Sequence, residues 1–231
     1  QFTGCSVEMT STVSVIENPL PSNYIVEGGG TICQGEDGVD ISLIGSETGI
    51  DYALYVNGNY TDEIITGTGF TISFGSQNTE GIYTVIATNI NSGCSLQMDG
   101  SPQLIIKENP IADAGSDKTI NNGEKTQLYG EATNGSGEYL YNWSPEYLVE
   151  EANMGSTETL PLNSSETFLL NIIDAQTGCV SKPDSAIVYI NGDILSVDIN
   201  SSSNEVCKGN SISLQALPSG GDGDYEFQWR S

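Results

Sequence analysis

Three cysteines sit in one local motif: Thr3-Gly4-Cys5, Ser92-Gly93-Cys94 and Thr177-Gly178-Cys179. Two more, Cys33 and Cys207, sit in a second motif, Thr31-Ile32-Cys33-Gln34-Gly35-Glu36 and Glu205-Val206-Cys207-Lys208-Gly209-Asn210. The chemistry open to them is disulfide formation. No two stand close enough for a metal knuckle, and the chain has no histidine to complete one. Cys33 and Cys94 read as an early and a late position of one unit, and we expect a bridge between them. It would close a loop of about 60 residues and contribute roughly 4 kcal/mol through chain entropy. Asn121 replaces the early cysteine in the following unit, so Cys179 is expected to be a buried free thiol. The other candidate chemistry is cation binding. Asp113 and Asp117 flank the turn Asp113-Ala114-Gly115-Ser116-Asp117, with Asp174 or Glu108 as added oxygen ligands of the kind calcium takes. An exposed acidic turn is the plain alternative.

Other chemistries are excluded or unsupported. The absence of histidine rules out Ser-His-Asp and Cys-His nucleophilic arrangements in this segment. Paired carboxylates for glycoside hydrolysis need a cleft, and short-looped small sandwiches offer little concavity. The glycines at 28–30 and 220–223 lack the helix that a phosphate-binding loop feeds, so they read as turn glycines. We expect no enzyme and no resident cofactor other than calcium. With 31 acidic against 6 basic residues and a net charge of −25, the chain lacks the basic surface that nucleic acid or anionic lipid requires. No apolar run reaches the length of a membrane span. Cysteine use of this kind places the chain outside the cytoplasm.

The elements that position these residues repeat. The cysteine motifs, the Thr31, Thr119 and Glu205 segments, and the pair Tyr141-Asn142-Trp143 and Phe227-Gln228-Trp229 recur at one spacing of about 85–90 residues. The ruler divides the chain into the end of an upstream repeat (1–16), two complete repeats (17–108 and 109–191) and the start of another (192–231). Glu17-Asn18-Pro19 and Glu108-Asn109-Pro110 are short, stiff linkers. The array is read as a fragment of a longer polypeptide. Within a repeat, runs of 4–8 residues rich in β-branched and aromatic types alternate and are bounded by Gly, Asn or Ser; no window has helical period. Strands are expected at Thr10–Ile16, Val39–Ile44, Tyr52–Val56, Phe70–Phe74, Gly81–Thr88 and Leu104–Ile106. In the second complete repeat they are expected at Thr126–Gly130, Tyr139–Trp143, Thr167–Ile173 and Ser185–Ile190. Beyond it they are expected at Ser211–Leu217 and Tyr225–Trp229. Asn57-Gly58 signals a two-residue hairpin. Phe70, Ile72 and Phe74 are placed inward, as are Phe168, Leu170 and Ile172, and a short helical turn is allowed near Pro145–Leu148. Trp143 and Trp229 are the central core aromatics of antiparallel β-sandwiches.

The run Ile111–Ile120, then Gly123-Glu124 and Leu128, then Tyr141-Asn142-Trp143-Ser144-Pro145 and Thr177-Gly178-Cys179, resembles the PKD-like and immunoglobulin-like tandem repeats of secreted Bacteroidota surface proteins. Ser219-Gly220-Gly221-Asp222-Gly223-Asp224-Tyr225 through Trp229 resembles the repeats of the gliding-motility adhesins of that phylum. The resemblance implies tandem immunoglobulin-like β-sandwiches at the cell surface, export by the type IX route, and Asp184-Ser185-Ala186 as an O-glycosylation motif with Ser185 as acceptor. The function it implies is a non-catalytic stalk or filament segment in adhesion or gliding, whose partners are neighbouring repeats, surface glycans or other surface proteins. The alternative is a carbohydrate- or protein-binding accessory module of an exported enzyme, with Tyr24, Tyr60 or Tyr147 as sugar-stacking contacts.

Overall fold

The computed structural model describes Gly4, Glu8 and residues 13–221 and 223–230. The chain divides into two compact units, Gln1–Ile106 and Lys107–Ser231. In the first, the strands are β1 (Val26–Gly28), β2 (Gly30–Cys33), β3 (Val39–Leu43), β4 (Ile50–Val56), β5 (Asn59–Thr66), β6 (Ile72–Gln77), β7 (Gly81–Asn89), β8 (Ser95–Gln97) and β9 (Gln103–Lys107). They form two sheets, β1-β3-β6 and β2-β9-β7-β4-β5, with β8 paired to β7. Alternation dictates the layering. Ile41 and Leu43 from one sheet meet Tyr52, Leu54, Tyr83 and Val85 from the other, all fully buried. Burial of the two tyrosines is tolerated because their hydroxyls are bonded: Glu47 N donates to Tyr52 Oη at 2.9 Å, and Tyr83 Oη donates to Thr79 O at 2.6 Å. Burial pushes both phenols above their ordinary pKa.

The second unit carries β10 (Ile111–Asp113), β11 (Lys118–Asn121), β12 (Gln127–Tyr129), β13 (Glu131–Thr133), β14 (Tyr139–Ser144), β15 (Ser156–Glu158), β16 (Glu166–Asp174) and β17 (Asp184–Asn191). β18 (Asp193–Ser201) and β19 (Leu214–Gly221) follow. Its main sheet is β11-β17-β16-β14, the order of β2-β9-β7-β4 again. β11 runs parallel to β17, while β16 is antiparallel to both β14 and β17. The facing layer is two short ladders, β10-β13 and β12-β15. Trp143, Phe168, Leu170, Ile172 and Val188 fill the space between. Gly130 interrupts the facing layer because a Cβ there would lie 2.6 Å from Leu170 Cδ2 and 3.0 Å from Trp143 Cζ2. The fold is all-β, with immunoglobulin-like antiparallel sandwiches in tandem.

Several expectations need correction. Phe70 does not point inward; it is 77% exposed, because the strand begins only at Ile72, after a Gly69 turn whose Phe70 carbonyl accepts from Ser46 Oγ. Trp229 is 53% exposed and Tyr225–Trp229 forms no strand, since among the described residues no second layer faces the β18-β19 ladder as the β10-β13 and β12-β15 ladders face the sheet that carries Trp143. Of the expected strand Thr10–Ile16, the first three residues lie outside the described residues and 13–16 have no regular structure. Residues Glu146–Leu148 form a single 3-10 turn after a cis Ser144-Pro145 bond.

The expected bridge between Cys33 and Cys94 is not made. Cys94 carries a free thiol, its Sγ 3.9 Å from the carbonyl of Asn18, whereas Cys33 is disulfide-bonded. Cys179, expected to be a free thiol, is disulfide-bonded and buried; Cys207 is free and exposed, and Cys5 lies outside the described residues. The reason for the first correction is geometric. In the second unit the early position, Asn121, pairs with Asn191 beyond the Glu166 end of β16. The late position, Cys179, follows the other end, where Asp174 N donates to Cys179 O at 2.8 Å. The nine residues of β16 separate the two positions by roughly 27 Å, at about 3.3 Å per residue. A disulfide requires Cα atoms within about 7 Å. The first unit repeats this strand order, and there Cys94 likewise follows the end of the central strand, where Asn89 N donates to Cys94 O at 2.9 Å.

Candidate functional site

The most organised polar centre is the turn after β16. Asp174 is fully buried. Its Oδ1 accepts from Gln176 N (2.9 Å), Thr177 N (3.0 Å) and Ser136 Oγ (2.8 Å), and its Oδ2 accepts from Ser136 N. Burial alone would raise this carboxyl, but the backbone and hydroxyl donors outweigh it and hold the pKa well below the usual carboxylate range. Every oxygen is directed at the protein's own loops, which clamps the 134–137 turn to the Thr177-Gly178-Cys179 turn. The role of Asp174 is therefore to fix loops. Its sequence signal was the Asp-x-x-Thr-Gly-Cys spacing, which the first unit matches with Asn89: Asn89 Oδ1 accepts from Asn91 N and Ser92 N at 2.9 and 3.1 Å.

The expected cation ligands are drawn into the same kind of service. Asp113 Oδ1 accepts from Gly115 N, Asp117 Oδ1 from Ile187 N, and Asp184 Oδ2 from Ala114 N, each at 2.8 Å. The last two bonds tie the β10–β11 connection to β17. Among the described residues, no group of three or more acidic, cysteine or histidine side chains is placed to hold a metal ion. Ser185 is exposed on β17, beside the bonded Asp184.

Of the tyrosines expected to stack sugars, Tyr24 and Tyr60 do not converge. Tyr24 packs into the first core, against Gly45. Tyr60 belongs to the other end of that unit, at the Asn57-Gly58 hairpin, where its ring lies 5.5 Å from Tyr55. Tyr147 lies in the second unit, 76% exposed on the 3-10 turn. The concavities are shallow. One, about 510 Å³, is lined by Tyr141, Asn142, Glu146, Glu151 and Asn153 beside the outer edge of β14. Another, about 450 Å³, lies between the β18-β19 ladder and the segment Tyr225–Trp229.

Among the described residues, no helix is long and apolar enough to cross a membrane. No protein-family model and no curated protein matches the chain. Solved structures similar to it include the fibronectin(III)-like modules of Clostridium thermocellum CbhA, with 17% identity over 70% of this chain and 89% of that one, TM-score 0.31. A C-terminal fragment of intimin, solved with the intimin-binding domain of its translocated receptor, is 14% identical over 75% of this chain and 65% of that one, TM-score 0.44. The titin I-band fragment I67–I69 is 13% identical over 85% and 74%, TM-score 0.36. The likeness is one of fold.

Proposed function

We propose that this chain is a non-catalytic repeat segment of a secreted, cell-surface protein, acting as a mechanical spacer in an adhesive or gliding array. One observation carries the reading: each unit closes its own hydrophobic core, the first around Tyr52, Leu54 and Tyr83, the second around Trp143, Phe168 and Leu170. A repeat that buries its own apolar faces unfolds on its own, so an array of such repeats yields to force in steps. Half-cystines at Cys33 and Cys179 support an oxidising, extracellular setting. The charge of −25 keeps chains soluble and apart. The resemblance to Bacteroidota repeats supports the type IX route, Ser185 as a glycan acceptor and residues 192–231 as the start of a further repeat, of which β18 and β19 are the first ladder. The partners are then adjoining repeats and surface proteins or glycans.

Single-molecule stretching of the full chain, tethered at its ends in the presence of reductant, tests the reading. Two separate rupture peaks are expected, each releasing about 30 nm, from roughly 85 residues at ~3.5 Å each. A single rupture releasing the whole chain, or extension without a force peak, would overturn it.

A further inference from the structure

The two units differ at one sheet edge, and the difference leaves a docking position on the second. In β16, Ile172 directs its N–H and C=O to Ser181, and Asp174 directs its N–H to Cys179, both away from β14. Antiparallel parity then points the N–H and C=O groups of Tyr139, Tyr141 and Trp143, their register partners on β14, off the outer edge of the sheet. Ala152 O accepts the Trp143 N–H at 2.8 Å. The outward backbone groups of Tyr139 and Tyr141 meet no protein partner among the described residues. In the first unit the matching edge, β4, is covered along its length by β5. A bare edge is a template for another strand. Beside this one lies the 510 Å³ depression, rimmed by Glu146 and Glu151, neither of which joins an ion pair among the described residues; Lys125 is taken by Glu150 and Glu158.

We propose that the β14 edge at Tyr139–Tyr141 binds an extended peptide with Lys or Arg at alternate positions, paired as an added strand with a cationic side chain over Glu146 and Glu151. Charge complementarity selects this occupant. A second copy of this chain, at −25 and with only 6 basic residues, is repelled by the same acids. Backbone pairing supplies affinity, and the acidic rim selects for basic side chains.

The test uses the full chain and the blocked hexapeptide (Thr-Lys)3, with (Thr-Glu)3 as control. Expected results are millimolar or tighter binding of the basic peptide only, slowed amide exchange at Tyr139 and Tyr141, and several-fold weaker binding to the E146Q/E151Q variant. Two peptide isomers, N-methylated on one or the other set of alternate residues, separate strand pairing from adsorption. One isomer should lose at least tenfold in affinity and the other little. No binding, equal affinity of both isomers and the parent peptide, or exchange protection on β5 instead of β14 would each overturn the proposal.

Discussion

The two units solve one packing problem with different parts. Leu54 and Trp143 hold the same place, each opposite a buried aliphatic residue of the central strand, Val85 and Leu170. The first unit surrounds its leucine with Tyr52 and Tyr83. The second fills the space with one indole and thins the facing layer at Gly130 to admit it. At the pole of each sandwich the same turn is held by an amide in one, Asn89, and by a buried carboxylate in the other, Asp174. At the outer edge one has the β4–β5 hairpin and the other a 3-10 turn and a bare strand. Immunoglobulin-like layering thus tolerates exchange of its central side chain, its pole acceptor and its edge, provided each exchange is matched locally.

The sharpest break of this comparison is W143A. Removing a fully buried indole costs about 3–5 kcal/mol. The loss should fall on the second unit alone, read as amide-exchange protection vanishing from β14, β16 and β17 while β4 and β7 keep theirs. L54A in the first unit should cost about 2–5 kcal/mol there, and spare the second. Next come the cysteines. C33S removes a bonded half-cystine and should cost about 2–4 kcal/mol under oxidising conditions, whereas C94S, at a free thiol, should leave the denaturation midpoint unchanged. Non-reducing peptide mapping should find Cys94 alkylatable and Cys33 and Cys179 protected.

The pole turn gives a pH-dependent contrast. The folded Asp174 pKa is depressed below the unfolded value near 3.9, so its stabilisation is fully present above about pH 5 and is lost as pH falls below that, through the unfolded and then the folded pKa. The second unit should therefore lose stability on acidification more steeply than the first, whose Asn89 does not titrate. D174N should flatten that slope at some cost near neutrality, checked by denaturant unfolding between pH 2 and pH 7. The smallest effect is expected at the hairpin. Gly58 holds a φ of 78° and Asn57 one of 51°, so G58A should cost about 1 kcal/mol in the first unit. It should raise exchange in β5 and leave β14 untouched.

Local pattern carried much of this fold. Asn57-Gly58 announced its hairpin because few dipeptides accept two positive φ angles, and the alternation in Phe168, Leu170 and Ile172 placed those residues inward because side chains alternate across a strand. Trp143 was legible for the same reason. Trp229 followed the same alternation yet lies exposed, since a pattern says which residues share a face and not whether another layer meets that face; Phe70 lies exposed because its strand starts two residues later, at Ile72. Asp113 and Asp117 stood out because an acidic, glycine-containing turn has the composition of a cation site; the Gly115 N that Asp113 accepts lies two residues on, while the Ile187 N that Asp117 accepts is brought to it by folding.

The amino-acid sequence alone determined the period of the array, the all-β class, the hairpin and the acidic, histidine-free chemistry, because each follows from residue type and short-range spacing. Tertiary structure decided which cysteines are bonded, what Asp174 holds and which edge stays bare. Those depend on distances between residues far apart in the chain: a strand of nine residues parts the early and late cysteine positions of a repeat, and no spacing read along the sequence reports that separation.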